Sequence, residues 1–356
     1  MKKFTYGQIL ATALSALFVL IVSSCEKKAS FLSPETSSKT EKYLEFKDFG
    51  DFAKTIRELN AKDSEGLISW EKSVNLRSLH RLYEQIMLHN IEAIEKAEAQ
   101  IAKNPALAHN IKLEESPLLQ QCKSMLVDTE QQGLQLNLFD PSYAKVLNSD
   151  GIVKIGGVLH KFGPDYIKTI VNGDYTLVKD LDRINKDTQT SNLQYIEVKV
   201  STRPVKNGRV MGSDFSCSNE NGGYRVDGWV WSYHYVSGNT LYGRPQFHYG
   251  AFMRSTHRRW SNIWGWVGRN TTIYRTYGNY RLRTVNANNW VSLPNATVIS
   301  PFDYTNYNGS TSNATYYFIF DAIDLMPEGG TLQDIEVTLA GTFNFEFYDC
   351  ACTASY

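Results

Sequence analysis

The chain has 356 residues, 37 Lys and Arg against 37 Asp and Glu, and 42 % apolar residues. Zero net charge gives no electrostatic reason to expect a nucleic acid or an acidic membrane surface as partner. The apolar content excludes a chain that is disordered throughout, and its length is enough for two modest cores.

The first residues, MKK, are basic, and residues 9–22 form an apolar run. That run is too short to span a bilayer and suits the h-region of a secretory signal. It ends at VSSC, which resembles the lipobox of bacterial lipoproteins. The resemblance implies that Cys25 is acylated, becomes the new N-terminus and anchors the chain in membrane lipid; an ordinary cleaved signal peptide is the alternative. The implied location is the cell envelope, as an outer-membrane lipoprotein. Glu26, Lys27 and Lys28 do not form the acidic run used for surface export, so the sequence favours neither the periplasmic nor the surface side. Residues 29–40 are rich in Ser, Thr and Lys, with Pro34, and read as a tether.

Phe46, Phe49, Phe52, Ile56 and Leu59 recur every three or four residues and predict an amphipathic helix. Leu76, Leu79, Leu82, Tyr83, Ile86, Ile91, Ile94, Ala97 and Ile101 predict a longer one that stops before Pro105. A third is expected from Pro117 to about Glu130. His80, His89 and His109 fall in this region without the three- or four-residue spacing of a helical ligand pair.

From Asp150 the period changes to two. DGIVKIGGVLHKF predicts strands at 152–155 and 158–162 across a Gly156-Gly157 turn, and YIKTIV a third strand. In NGD, Asp174 is placed to cap a short helix reaching Leu181. This pattern resembles a module of functionally unassigned lipoproteins from Gram-negative gut anaerobes, a likeness that covers about 30 residues and implies no activity. NKDTQTSN, residues 185–192, reads as a linker.

From Tyr195 onward short alternating runs are broken by Gly, Asn and Pro, as in an antiparallel sandwich. The expected class is therefore α+β: an N-terminal helical region, a small β-hairpin module and a C-terminal antiparallel β-sandwich. In domain terms this gives a signal peptide at 1–24, the lipidated Cys and tether at 25–42, the helical region at 43–148, the hairpin module with its short helix at 149–184 and the sandwich at 193–356. Val337, Leu339, Gly341, Phe343, Phe345 and Phe347 share one face and are expected to point inward, with Asn344, Glu346 and Tyr348 outside. In YRVDGWVWSYHYV, Arg225, Asp227, Trp229, Trp231, Tyr233 and Tyr235 share a face that is either sandwich core or an exposed platform.

Apart from Cys25 there are four cysteines. In an oxidising compartment they point to disulfides rather than a metal site. Cys217 with either Cys350 or Cys352 would tie two ends of the sandwich together. Cys122 has no assigned partner.

Charge is unevenly spread. No lysine follows Lys206, and from Gly228 to Ser300 the chain has eight arginines and no Asp or Glu. The densest part, MRSTHRRWSNIWGWVGR, sets Arg258 and Arg259 beside Trp260, Trp264 and Trp266; downstream, Arg275, Tyr277, Arg281 and Arg283 alternate on strand spacing. These nine residues are the candidate ligand surface. Their guanidinium groups need partners, which are distant acids such as Asp321, Asp324 and Glu336, aromatic faces, or an external anion. Arginine and aromatic rings together suit a glycan, through C–H faces on the rings and bidentate grip of carboxylate or sulfate.

The chain has no G-x-S-x-G, H-E-x-x-H, P-loop or Gly-rich dinucleotide fingerprint. Asp321 and Asp324, at odd spacing on one strand, face opposite ways. His234, His248 and His257 read as packing residues. No catalytic residue, metal or cofactor is expected, and the expected partners are membrane lipid through Cys25 and a glycan or another envelope protein. Non-catalytic glycan binding is the leading expectation, and structural docking onto an envelope protein the alternative.

Overall fold

A computed structural model describes residues 43–129, 133–171, 173–180, 195–199, 205–206, 209–210, 216–241, 244–269, 274–286, 296–305, 313–325, 335–347 and 350–355. The expected leader, Cys25 and tether lie outside these residues. Among the described residues no helix is long and apolar enough to cross a membrane.

The fold is α+β. Helix α1 (Phe49–Asn60) starts where the Asp48 carboxylate accepts the Asp51 amide at 2.9 Å, satisfying one of the orphan donors of a first turn. Helix α2 (Ser64–Val74) is capped in the same way by Asp63 and ends at Asn75 in the left-handed conformation. Helix α3 (Leu79–Lys103) starts at Ser78 and stops before Pro105. The predicted stripes hold: Phe49, Phe52, Ile56 and Leu59 of α1 and Leu79, Leu82, Tyr83 and Ile86 of α3 are buried in one core.

Two local readings change. Phe46 lies in a short strand, β1 (Glu45–Phe46), ahead of α1. The predicted helix from Pro117 shrinks to one turn, α4 (Leu119–Cys122), and the chain then turns into a hairpin, β2 (Leu126–Thr129) and β3 (Gly133–Leu136). Gly133, at φ +67, takes a conformation that glycine adopts at little cost, and Leu134 and Leu136 then alternate along β3 instead of recurring at helical spacing.

The hairpin module forms as read: β4 (Ile152–Ile155) and β5 (Val158–Phe162) pair across Gly156-Gly157, both in the left-handed region, and β6 (Tyr166–Ile170) follows. Beyond it a short 3₁₀ turn, Tyr175–Asp180, replaces the expected short helix; Asp174 Oδ1 accepts from the Thr176 amide and hydroxyl. β1 joins this sheet in parallel beside β4. The strand YIEVK, β7 (Tyr195–Lys199), extends it beside β6 instead of joining the sandwich.

After β7 comes a two-stranded ladder, β8 (Val205–Lys206) with β9 (Arg209–Val210), and the rest of the described C-terminal part consists of two antiparallel sheets that do not close into a barrel. In the first, β10 (Ser216–Asn221), β11 (Tyr224–Leu241), β12 (Arg244–Ser261) and β13 (Gly265–Gly268) run in order, and β16 (Asn313–Leu325) also pairs with β12. The second has the order β15 (Ala296–Thr305), β14 (Tyr274–Asn286), β17 (Ile335–Phe347), β18 (Cys350–Ser355). Phe343, Phe345 and Phe347 are fully buried, as the alternation requires. Gly228 is the seat for one of them: a Cβ there would come within 2.2 Å of the Phe345 ring.

The other face of β11 and β12 is covered as well. Tyr233, Tyr235 and Phe252 belong to the same core as α1, α3, Phe139, Tyr143 and Phe162. The Tyr233 hydroxyl donates to Asp140 Oδ2 at 3.0 Å. Tyr233 and Tyr235 of the YRVDGWVWSYHYV face are therefore neither sandwich interior nor open platform; they are packed beneath the N-terminal half of the chain.

Cys217 is bonded to Cys352, stapling β10 of one sheet to β18 of the other. Cys350, the other candidate, is a buried thiol whose Sγ donates to Tyr224 O at 3.0 Å. Strand register decides between them. Cys217 stands opposite Gly228 on β11, Cys352 packs beside Val226, and Cys350 lies farther along at Tyr224. The disulfide closes a sequence separation of 135. Cys352→Ser should therefore cost about 3–5 kcal/mol, read as a lower urea midpoint that reductant no longer shifts.

Candidate ligand surface

Residues directly opposite in an antiparallel ladder share a face. The pairs Arg225↔Arg258, Asp227↔Thr256 and Trp229↔Arg254 therefore put three guanidinium groups on one side of the first sheet. Like charges placed so close would repel, and Asp227 lies between two of them. Its Oδ1 accepts from Arg225 Nε at 2.8 Å and its Oδ2 from Arg258 Nε at 3.0 Å. Asp227 and Arg258 are buried and Arg225 is partly exposed. Arg258, a candidate ligand residue by sequence, is thus committed to an internal ion pair.

The other counter-charges come from far upstream. Arg259 forms a two-pronged pair with Glu98 of α3, at 3.1 and 2.7 Å. Arg269 reaches Glu95, one helical turn earlier, at 3.9 Å. The hydrogen bonds from Arg259 are the main reason the Glu98 carboxyl lies below its ordinary 4.5. Such bidentate pairing fixes direction as well as charge, so it pins the outer half of α3 to the end of the sheet.

The tryptophans are placed differently. Trp260 and Trp266 stand opposite each other on β12 and β13, edge to face with centroids 5.3 Å apart. The turn between them is shaped by Ser261 Oγ, which accepts the amides of Ile263 and Trp264, and by Gly265 at φ +70. Trp260 N donates to Gly223 O at 2.7 Å, bringing the neighbouring β10–β11 turn alongside. Trp260 is 50 % exposed and Ile263 is 37 % exposed, while Trp264 and Trp266 are half-buried. The guanidinium of Arg225 lies over Trp266, 5.8 Å from the ring centre. The result is an aromatic tip rimmed by arginines already matched to acids.

The second group of candidates sits on the other sheet. Arg275 lies over the Tyr277 ring at 4.3 Å, and the Tyr277 hydroxyl donates to Glu346 at 2.8 Å. Arg281 and Arg283 occupy β14 opposite Ala340 and Thr338 of β17. Their side chains lie outside the described residues, as do those of Asp321, Asp324 and Glu336. The nine candidates therefore fall into two sets on different sheets rather than one strip.

The histidines pack. His248 stacks on Tyr235 with centroids 4.4 Å apart and meets Phe49 edge-on; His257 lies against Phe347 and bonds Ser255. His80 pairs with Glu84 and His89 with the Glu114 carbonyl. The side chains of His109 and His234 are outside the described residues. His160, not singled out by sequence, is buried against Phe49, and burial holds its pKa down at about 3. No group of three or more His, Cys, Asp or Glu is arranged for a metal among the described residues.

Sequence reasoning did not pair Glu95, Glu98 or Asp227 with the arginines, and it did not single out Arg254 or Ile263. The acids were visible only as the polar side of a helix and as one member of an alternating strand, and nothing local linked them to the arginines.

No family model matches the chain, and no curated protein matches it. Among solved structures it has a likeness to a DUF4848 family protein from Bacteroides thetaiotaomicron, at 13 % identity and a TM-score of 0.29, covering 88 % of this chain and 96 % of that one. The function therefore rests on this chain's own residues.

Glu98→Ala leaves Arg259 without its acid and should cost about 1 kcal/mol, less at high salt because the pair is partly exposed. The Glu98 carboxyl is depressed, so its contribution is present above the ordinary 4.5 and is lost as pH falls through the folded value. Urea unfolding at a series of pH values should show wild type and Glu98→Ala converging in acid.

Proposed function

We propose that the protein is a non-catalytic, lipid-anchored protein of the cell envelope whose aromatic tip binds a glycan. The observation that carries the reading is Trp260, half exposed and braced edge-on by Trp266. A fully buried ring of this size would add a few kcal/mol to folding. Here much of that surface stays in water, available to the C–H face of a sugar ring. Arg225, held over Trp266 and tied to Asp227, fixes the platform. Arg259 and Glu98 supply donors and acceptors at its rim.

The anchor part of the reading rests on VSSC at Cys25 and on the short apolar run before it. A second reading, docking onto another envelope protein, draws on Ile263, an exposed aliphatic residue beside Trp260 that protein surfaces accommodate better than sugars do.

Two experiments test this reading. On a glycan array, the purified protein should bind sugars and Trp260→Ala should weaken binding about tenfold, or 1.4 kcal/mol, while losing no more than about 1 kcal/mol of stability. An array without any bound sugar, together with co-purification of an envelope protein that Trp260→Ala releases, would select docking. In cells fed labelled palmitate, the wild-type chain should carry label in the membrane fraction and Cys25→Ser should carry none; labelling of both would remove the anchor from the proposal.

A further inference from the structure

Farther inward along the face that carries Trp260, the charges stop balancing. Arg254 is only 6 % exposed and stands opposite Trp229, one ladder step beyond the Asp227↔Thr256 pair. Thr256, two residues on and on the same side, is 4 % exposed. Among the described residues, one carboxylate, that of Asp227, stands among the three guanidinium groups on this face, those of Arg225, Arg254 and Arg258. Both oxygens of Asp227 are already taken, Oδ1 by Arg225 and Oδ2 by Arg258. Among the described residues no carboxylate pairs with Arg254. Its Nε and the Thr256 hydroxyl are buried without a hydrogen-bond partner.

A buried lysine or histidine relieves such a situation by shedding its proton, as the low pKa of His160 illustrates. Arginine has no such escape, because guanidinium keeps its proton at any pH a protein meets. A buried cation without a counter-charge is strongly disfavoured. Water would satisfy the N–H group and leave the charge. An oxyanion satisfies both, since a guanidinium offers parallel N–H donors at the spacing of two oxygens on one carbon, phosphorus or sulfur.

We infer that Arg254 and Thr256 form a binding site for a small oxyanion, a carboxylate, phosphate or sulfate group, with Trp229 as its wall. Arg254 holds the ion through Nε and its fork, and the Thr256 hydroxyl donates to a remaining oxygen. Trp229 is half-buried, so the site lies one side chain below the surface. It is independent of the aromatic tip.

The test uses the full purified chain, dialysed free of these ions. Its melting temperature is followed in millimolar phosphate, sulfate and acetate at constant ionic strength, with sodium chloride as filler. At least one ion should raise the melting temperature saturably, by about 5 °C at a hundredfold excess over Kd. Arg254→Met keeps the apolar stem and should abolish that rise without lowering the ion-free melting temperature. The rank of the three ions separates a tetrahedral ligand from a carboxylate. If Arg254→Met does not fold, Thr256→Val takes its place and should weaken Kd severalfold. A rise that is linear in salt and equal in variant and wild type, no rise with any ion, or a Kd unchanged in Thr256→Val overturns the assignment.

Discussion

The β11–β12 hairpin has two strands of 18 residues each, and along its middle stretch described side chains are buried on both faces, Val226, Val230, Met253 and His257 on one and Asp227, Tyr233, Tyr235 and Phe252 on the other; much of the rest follows from that. On one side Gly228 and Tyr224 meet Phe345 and Phe347 of the opposing sheet. On the other, Tyr233, Tyr235 and Phe252 close over the aromatic core built by α1, Phe139, Tyr143 and Phe162. A sheet with solvent on one face can leave its polar side chains to water. Along this stretch the hairpin cannot, so Asp227, Arg254 and Arg258 need an internal partner or a ligand. Gly228 and Gly250 show how tight the cover is: a Cβ at either would enter an aromatic ring, Phe345 in one case and Tyr233 in the other.

The parts of this arrangement legible in the sequence are those fixed by short-range rules. Spacings of three and four located α1 and α3, and Gly156-Gly157 located the β4–β5 turn. Alternation put Phe343, Phe345 and Phe347 on one buried face. The failures have local causes too. Helix α2 went unread because the one residue it fully buries is Glu71 rather than a run of apolar ones. The segment after Pro117 looked helical until a glycine with positive φ allowed a hairpin. Alternation also separates two faces without naming what covers each. That Tyr233 would meet Asp140 depends on a contact 93 residues away in sequence.

For the candidate surface the unusual run was legible and its electrostatics were not. From Gly228 to Ser300 there is no acid, and a reading confined to that window leaves eight cations without partners. Three of the missing carboxylates are Asp227, one residue before the window, and Glu95 and Glu98 on α3, each more than 150 residues upstream of the arginine it meets. Local charge imbalance is thus a statement about which distant elements must meet, and here it welds a helix to the end of a sheet. The two-pronged Arg259–Glu98 contact also shows why arginine serves where lysine is missing: a single ammonium would match the charge without fixing the direction of α3.

What the run offers to the outside follows from what the inside has already taken. At the tip Arg225, Arg258 and Arg259 are matched to acids, so an incoming anion would have to displace Asp227 or Glu98, whereas the ring of Trp260 stays 50 % exposed among the described residues. Selectivity at the tip should then come from stacking and shape more than from charge. Deeper on the same face the order reverses, because Arg254 is enclosed by side chains that contribute no negative charge among the described residues. One strand, β12, therefore carries a half-exposed ring near its C-terminal end and, in its buried middle, a cation that no carboxylate meets among the described residues. A sheet covered on both sides has those two ways to meet a ligand, and they call for different chemistry.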